Sequence, residues 1–220
     1  RSNTQIDLAA HALEVLATLP AESKNNIEKL MQTAEKSPKD VATLKQLSGA
    51  FHTAQHDDVA AFFAEKVADI ERTDEAYSIA GANYFQALRS SEDPTMRDFL
   101  RDKAAAAFEN AAKVNDKKLE HRINLALCYT EQPLANEPMR GILILRELDA
   151  QNPDNEAVNI QLARLALKTN QFEKAIDRLE KLLVKYPKNG RAICLLADAY
   201  TGKGDAQKAQ VYADKCKAAE

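Results

Sequence analysis

Residues 156–189 read EAVNIQLARLALKTNQFEKAIDRLEKLLVKYPKN, and residues 190–220 read GRAICLLADAYTGKGDAQKAQVYADKCKAAE. At an offset of 34 the two stretches align without a gap. Leu162 then meets Leu196, Ala163 meets Ala197, Ala175 meets Ala209, and Leu182 meets Cys216. Each stretch holds two amphipathic segments with 3.6-residue periodicity, which is the pattern of a helix with one buried face. A short polar break separates them: Thr169-Asn170-Gln171 in one, Gly202-Lys203-Gly204-Asp205 in the other. Pro187 stands where the second helix must stop.

The same pattern extends upstream. Leu125, Ala126 and Tyr129, followed by Gly141, Leu145, Leu148 and Pro153, repeat it with three extra residues in the turn EQPLANEP. Tyr77, Gly81 and Tyr84, with Ala104, Phe108 and Ala111, repeat it again around an 11-residue insertion near RSSEDPTMRDFL. That insertion predicts two lengthened helices with Pro94 at or near their turn. Leu44, Leu47, Ser48, Phe51, Ala60 and Val67 fit at ordinary spacing. Ahead of them, 4–19 predicts a helix capped by Asn3 or Thr4, Pro20-Ala21-Glu22-Ser23 a break, and 24–36 a second helix ending before Pro38.

These slots resemble the tetratricopeptide repeat, a 34-residue helix–turn–helix unit. Its signature asks for large residues at slots four, seven, eleven and twenty-four, and small ones at eight, twenty and twenty-seven. Pro follows at thirty-two. Small residues sit where the two helices cross most closely, and large ones fill the space around them. The resemblance implies an all-α fold, an α-α superhelix forming a right-handed solenoid. Residues 1–40 are then a helical pair, either a degenerate repeat or a cap. About five repeats follow, at 41–73, 74–118, 119–155, 156–189 and 190–220.

Composition narrows the function. The 220 residues are 45% hydrophobic and 29% charged with a net charge of −3, which argues against a basic nucleic-acid-binding face. No window reaches the 18 or so apolar residues that cross a bilayer. Cys128, Cys194 and Cys216 are sparse, odd in number and without a C-x-x-C spacing, so they are expected to be reduced and mostly buried thiols. His52 and His56 stand four apart, but Thr53 follows His52 where the zinc-protease motif has Glu, so no metal site is expected. With no phosphate loop, nucleophile elbow or paired carboxylates, no enzyme activity and no cofactor are expected.

In this family the first helix of each repeat lines a concave groove that holds a partner polypeptide. Carried over by slot, the groove residues here are Lys45, Phe85, Ile123, Leu127, Ile160, Arg164, Lys168 and Arg191. The middle of that set is apolar and its C-terminal end basic. The expected partner is therefore a protein or peptide segment with an apolar face and an acidic flank. Some relatives clamp a C-terminal carboxylate with Lys, Asn and Arg. Lys45 fits, but Gly49, Ile79, Glu120 and Asn124 occupy the other clamp slots, so that ligand is disfavoured.

The expected role is a non-catalytic protein–protein scaffold, monomeric or weakly dimeric, with Ala199 and Val211 or Tyr212 exposed on its last helical pair. The alternative is a membrane-tethered bacterial envelope assembly factor. The chain opens at Arg1 rather than Met, so an upstream anchor or signal peptide stays open, and with it a cytoplasmic or periplasmic location.

Overall fold

The computed structural model describes residues 6–219, which form twelve helices and, among the described residues, no strand. They are α1 Leu8–Thr18, α2 Ala21–Lys36, α3 Val41–Thr53, α4 Asp57–Glu71, α5 Asp74–Ser90 and α6 Pro94–Val114. After these come α7 Leu119–Glu131, α8 Arg140–Gln151, α9 Glu156–Lys168, α10 Phe172–Lys185, α11 Gly190–Lys203 and α12 Ala206–Lys217. Helix packing divides the chain into two compact units between Gly141 and Ile142, at the start of α8.

Local chemistry sets the helix starts. Asp40, Thr73 and Asp93 each accept a backbone N–H of the helix that follows, which satisfies donors no helix can satisfy itself. Asn155 caps α9 and Asn189 caps α11 through the same third-residue N–H, and these two residues are one repeat length apart. The turn inside three hairpins needs one left-handed residue: Gln55 (φ 64°), Asn170 (φ 56°) and Gly204 (φ 85°). Gly and Asn adopt that conformation at little cost, whereas Gln does not. In each case the residue after it donates its N–H to a carbonyl five residues back: His56 to Phe51, Gln171 to Ala166, Asp205 to Tyr200.

In the first unit, α1 through α7 pack as successive antiparallel neighbours, and α1 also reaches α4. His11 Nε2 lies 2.8 Å from Asp58 Oδ2 across that last contact. The core near the N-terminus holds Ile27, Leu44, Leu47, Phe51, Val59 and Phe63. The insertion lengthens both helices of the third pair, with α5 at 17 residues and α6 at 21, and Pro94 is the first residue of α6. Pro tolerates that position because its missing N–H would be unpaired there anyway. Tyr84 is fully buried and donates its hydroxyl to Glu65, 2.7 Å away.

In the second unit, α9 to α12 pack in order around Ala163, Ala175, Leu179, Leu196 and Tyr200. Arg178 on α10 makes a forked pair with Asp149 on α8, at 2.8 and 3.0 Å, and also donates to Asn159 on α9.

Four expectations are corrected. Helix α1 begins at Leu8 rather than at residue 4, because the Asp7 carboxylate accepts from Ala9 and Ala10; Asn3 and Thr4 lie outside the described residues. Helix α2 begins at Ala21, directly after Pro20, so the break is shorter than the Pro-Ala-Glu-Ser run suggested. Cys194 and Cys216 are not free thiols but a disulfide joining α11 to α12. Antiparallel packing brings positions 22 residues apart to a Cα separation of 4.8 Å, which no short spacing rule detects. Ala199 is buried, not exposed; Val211 is exposed and Tyr212 is half-buried.

Candidate functional site

Within the first unit, α3, the C-terminal half of α4 and α5 enclose a cleft of about 430 Å³. Small residues make it possible. Ala64 and Val67 on α4 and Ala76 on α5 form an apolar floor, and Gly49 on α3 leaves the wall open. Ile79, half exposed, stands on α5 beside Asn83. The charged or titratable side chains are Lys45, His52, Glu71 and Glu75, joined by polar Ser48, Thr73 and Asn83. Lys45 Nζ lies 2.6 Å from Glu71 Oε1, so its charge is spent within the cleft. Ser48 is turned away and donates to the Ala60 carbonyl at 2.8 Å. His52 Nδ1 lies 2.6 Å from Asp57 Oδ1, and His56 is the cap residue of α4. Among the described residues no group of three or more His, Cys, Asp or Glu is placed to hold a metal ion.

The groove residues expected from the sequence separate between the two units. In the first, Lys45 lines the cleft, while Phe85 and Leu127 are half-buried. Ile123 is 4% exposed, so it packs inward and offers no surface. In the second unit Ile160 is 3% exposed and belongs to the core with Ala163 and Leu179. Arg164, Lys168 and Arg191 are exposed. The slot assignment selects residues on first helices but does not tell an exposed side chain from one covered by its neighbours. It also misses Glu71 and Glu75. Glu71 ends α4, a second helix that the family pattern does not highlight, whereas Glu75 stands in the first turn of the first helix α5, at a groove slot that the residue selection passed over.

A second polar cluster joins α5 to α7. His121 is fully buried, with Nε2 3.0 Å from Asp74 Oδ2. Asn115 donates to the same oxygen at 3.2 Å, and Lys118 lies 3.8 Å away. The hydrogen bond from His121 holds the Asp74 carboxyl below the usual carboxylate range. His121 Nδ1 is buried without a hydrogen-bond partner among the described residues. Cys128 is also buried, which pushes its thiol up to about 12, so it is neutral and unreactive at ordinary pH.

Comparison with known proteins places the fold. The family model described as Tetratricopeptide repeat matches residues 140–192. A curated relative, "BBSome complex member BBS4 homolog" of Drosophila melanogaster, is 26% identical over 174 residues, 77% of this chain. The chain spans about a third of that relative's length, 35%. The solved structure of TTC0263, a thermophilic TPR protein of Thermus thermophilus, superposes with a TM-score of 0.58 at 19% identity, covering 87% of this chain and 98% of that one. PilW, a widely conserved type IV pilus biogenesis factor, gives 0.55 at 16% identity, covering 96% of this chain and 91% of that one. At such identities the structural likeness establishes the fold: an all-α solenoid of tetratricopeptide repeats.

Proposed function

We propose that this tetratricopeptide-repeat protein is a non-catalytic scaffold that holds a partner polypeptide on the exposed face of its first helices. Its working units are the repeats at 41–73, 74–118, 119–155, 156–189 and 190–220. The observation that carries the reading is the cleft between α3 and α5, an apolar-floored concavity of about 430 Å³. Ligand sites are typically concave, largely apolar and about 300–1,000 Å³ in size. Lys45, Phe85 and Leu127 contribute in the first unit. Arg164, Lys168 and Arg191 contribute in the second, where their exposed cations suit an acidic segment of the client. Ile123 and Ile160 act through packing rather than contact.

Site-specific photo-crosslinking tests this. A benzophenone side chain replaces Ile79 in the cleft or, as the contrast, Val184 on α10, which is 87% exposed. A polypeptide captured at position 79 and absent at 184 supports the groove. Capture at 184 alone moves the interface to the second helices.

One observation favours the second reading, an envelope assembly factor. The Cys194–Cys216 disulfide suits an oxidising compartment such as the periplasm, since cytosolic thiols are kept reduced. Alkylating the protein from its native cell under denaturing, non-reducing conditions discriminates. One labelled cysteine, Cys128, supports that compartment, and three labelled cysteines reject it.

A further inference from the structure

Glycine in a helix interior is disfavoured relative to alanine and normally answers a local need. Two helical glycines of the first unit show such a need. A Cβ on Gly81 would meet the Phe108 ring at 2.9 Å, and one on Gly141 would meet the Ala126 carbonyl oxygen at 2.5 Å. Gly49, inside α3, shows none. Nothing lies within 4 Å of the position its Cβ would take, and its φ is not positive. The space that Gly49 leaves empty is the cleft itself.

The chemistry around that space is specific. The floor of Ala64, Val67 and Ala76 is apolar. Around it stand two carboxylates, Glu71 and Glu75, against one ammonium, Lys45. Lys45 is already paired with Glu71, and Glu75 has no ion pair among the described residues. The rim is thus left with an uncompensated carboxylate. The Asn83 side chain supplies two donors and an acceptor, the complement of a peptide group.

We propose that the Gly49 cleft takes one apolar side chain of a partner peptide whose neighbouring residue is Lys or Arg, the cation meeting Glu75 at the rim. This rests on the groove-scaffold reading and adds its recognition chemistry. It assigns the first unit a basic-flanked apolar anchor, opposite in sign to the acidic segment suited to Arg164 and Lys168.

The test uses the full chain and three labelled dodecapeptides with a central Phe flanked on both sides by Lys, Glu or Ser, read by fluorescence anisotropy. The expected result is Lys-flanked binding at least about tenfold tighter than Glu-flanked binding, because Glu flanks meet the unpaired rim carboxylate as like charges. Gly49→Trp fills the cleft and abolishes that binding, with circular dichroism reporting its fold. Ile79→Arg, at an exposed position, serves the same purpose if the Trp variant misfolds. Glu75→Lys shifts preference to the Glu-flanked peptide. Preference for the Glu-flanked peptide that Gly49→Trp abolishes would keep the cleft and overturn its proposed chemistry. Lys-flanked binding undiminished in a folded Gly49→Trp variant would overturn the assignment to this cleft. Absence of binding by any of the three peptides would overturn both the chemistry and the cleft as a peptide site.

Discussion

Hairpins α3–α4 and α11–α12 share a repeat pattern but are held together by different means. Helix α4 buries Val59, Ala60, Ala61, Phe63, Ala64, Val67 and Ala68, because it packs on α3 to one side and α5 to the other. Helix α12 buries no residue fully and packs on α11. Its attachments include the Cys194–Cys216 disulfide, the Tyr212 ring stacked 5.6 Å from Tyr200, Lys208 over the Tyr200 ring, and half-buried Ala209. In a solenoid each helix draws stability from its neighbours, so a helix with one neighbour packs half as well. Here a covalent bond supplies part of what packing does not.

That difference predicts unequal losses on truncation. Phe63 is 5% exposed and its ring centroid lies 5.6 Å from that of Phe51. Phe63→Ala is expected to cost about 3–4 kcal/mol, as buried Phe truncations do. Tyr212→Ala, at a half-buried position, is expected to cost about 1 kcal/mol. Urea titration of both variants measures this, and equal losses would mean that α12 is packed as tightly as α4.

Removing the disulfide isolates the second means of attachment. Closing a loop of 22 residues stabilises by about 3 kcal/mol in the chain-entropy account. The double variant Cys194→Ser, Cys216→Ser is expected to lose that protection locally, as faster amide exchange through α12. Amides of α4 should exchange as before. Faster exchange in both helices would show that the bond supports more than its own hairpin.

Much of this architecture is readable in the residues, and the reason is local. Asn155 and Asn189 cap their helices, and Asn170 and Gly204 turn left-handed in their hairpins, each pair separated by one repeat length. Those choices depend on neighbours in the chain, so periodicity exposes them. What stays hidden depends on residues far apart. His121 finds Asp74 across 47 positions, and Cys194 finds Cys216 across a hairpin. The cleft is hardest to see: the repeat pattern puts Gly49 at a clamp slot, but nothing local marks Ala64 and Ala76 as lining the same space. Only their joint placement shows that three small residues leave a space instead of filling one. Ile123 and Ile160 go the other way: the family pattern assigns their slots to a groove, but both side chains are buried.

The two helical glycines Gly49 and Gly81 sharpen this point, since the same substitution should have opposite signs. Gly81→Ala forces a methyl against the Phe108 ring at 2.9 Å and is expected to cost about 1–2 kcal/mol. Gly49→Ala meets nothing and is expected to stabilise by about 0.5–1 kcal/mol through helix propensity. Thermal midpoints of the pair check this. A destabilised Gly49→Ala would mean that the glycine serves the fold, and the open cleft would lose its rationale.

The smallest expected effect concerns acid stability in the first unit, where Asp74 ties α5 to α7. Its carboxylate accepts from His121 and Asn115, with Lys118 at 3.8 Å, and its folded pKa is lowered, chiefly by the His121 hydrogen bond. A carboxylate with a depressed folded pKa contributes stability that is fully present above its unfolded value near 4. That contribution fades as pH falls through the lower folded value, because protonation in the unfolded chain comes first. Asp74→Asn removes the titrating group. The thermal midpoint of the native chain is therefore expected to fall more steeply between pH 5 and pH 2 than that of the variant, by about a degree or two for a partly exposed pair. The gap between the two should be widest near pH 6 and narrow as acid is added. Parallel curves would place the acid sensitivity outside the Asp74 cluster.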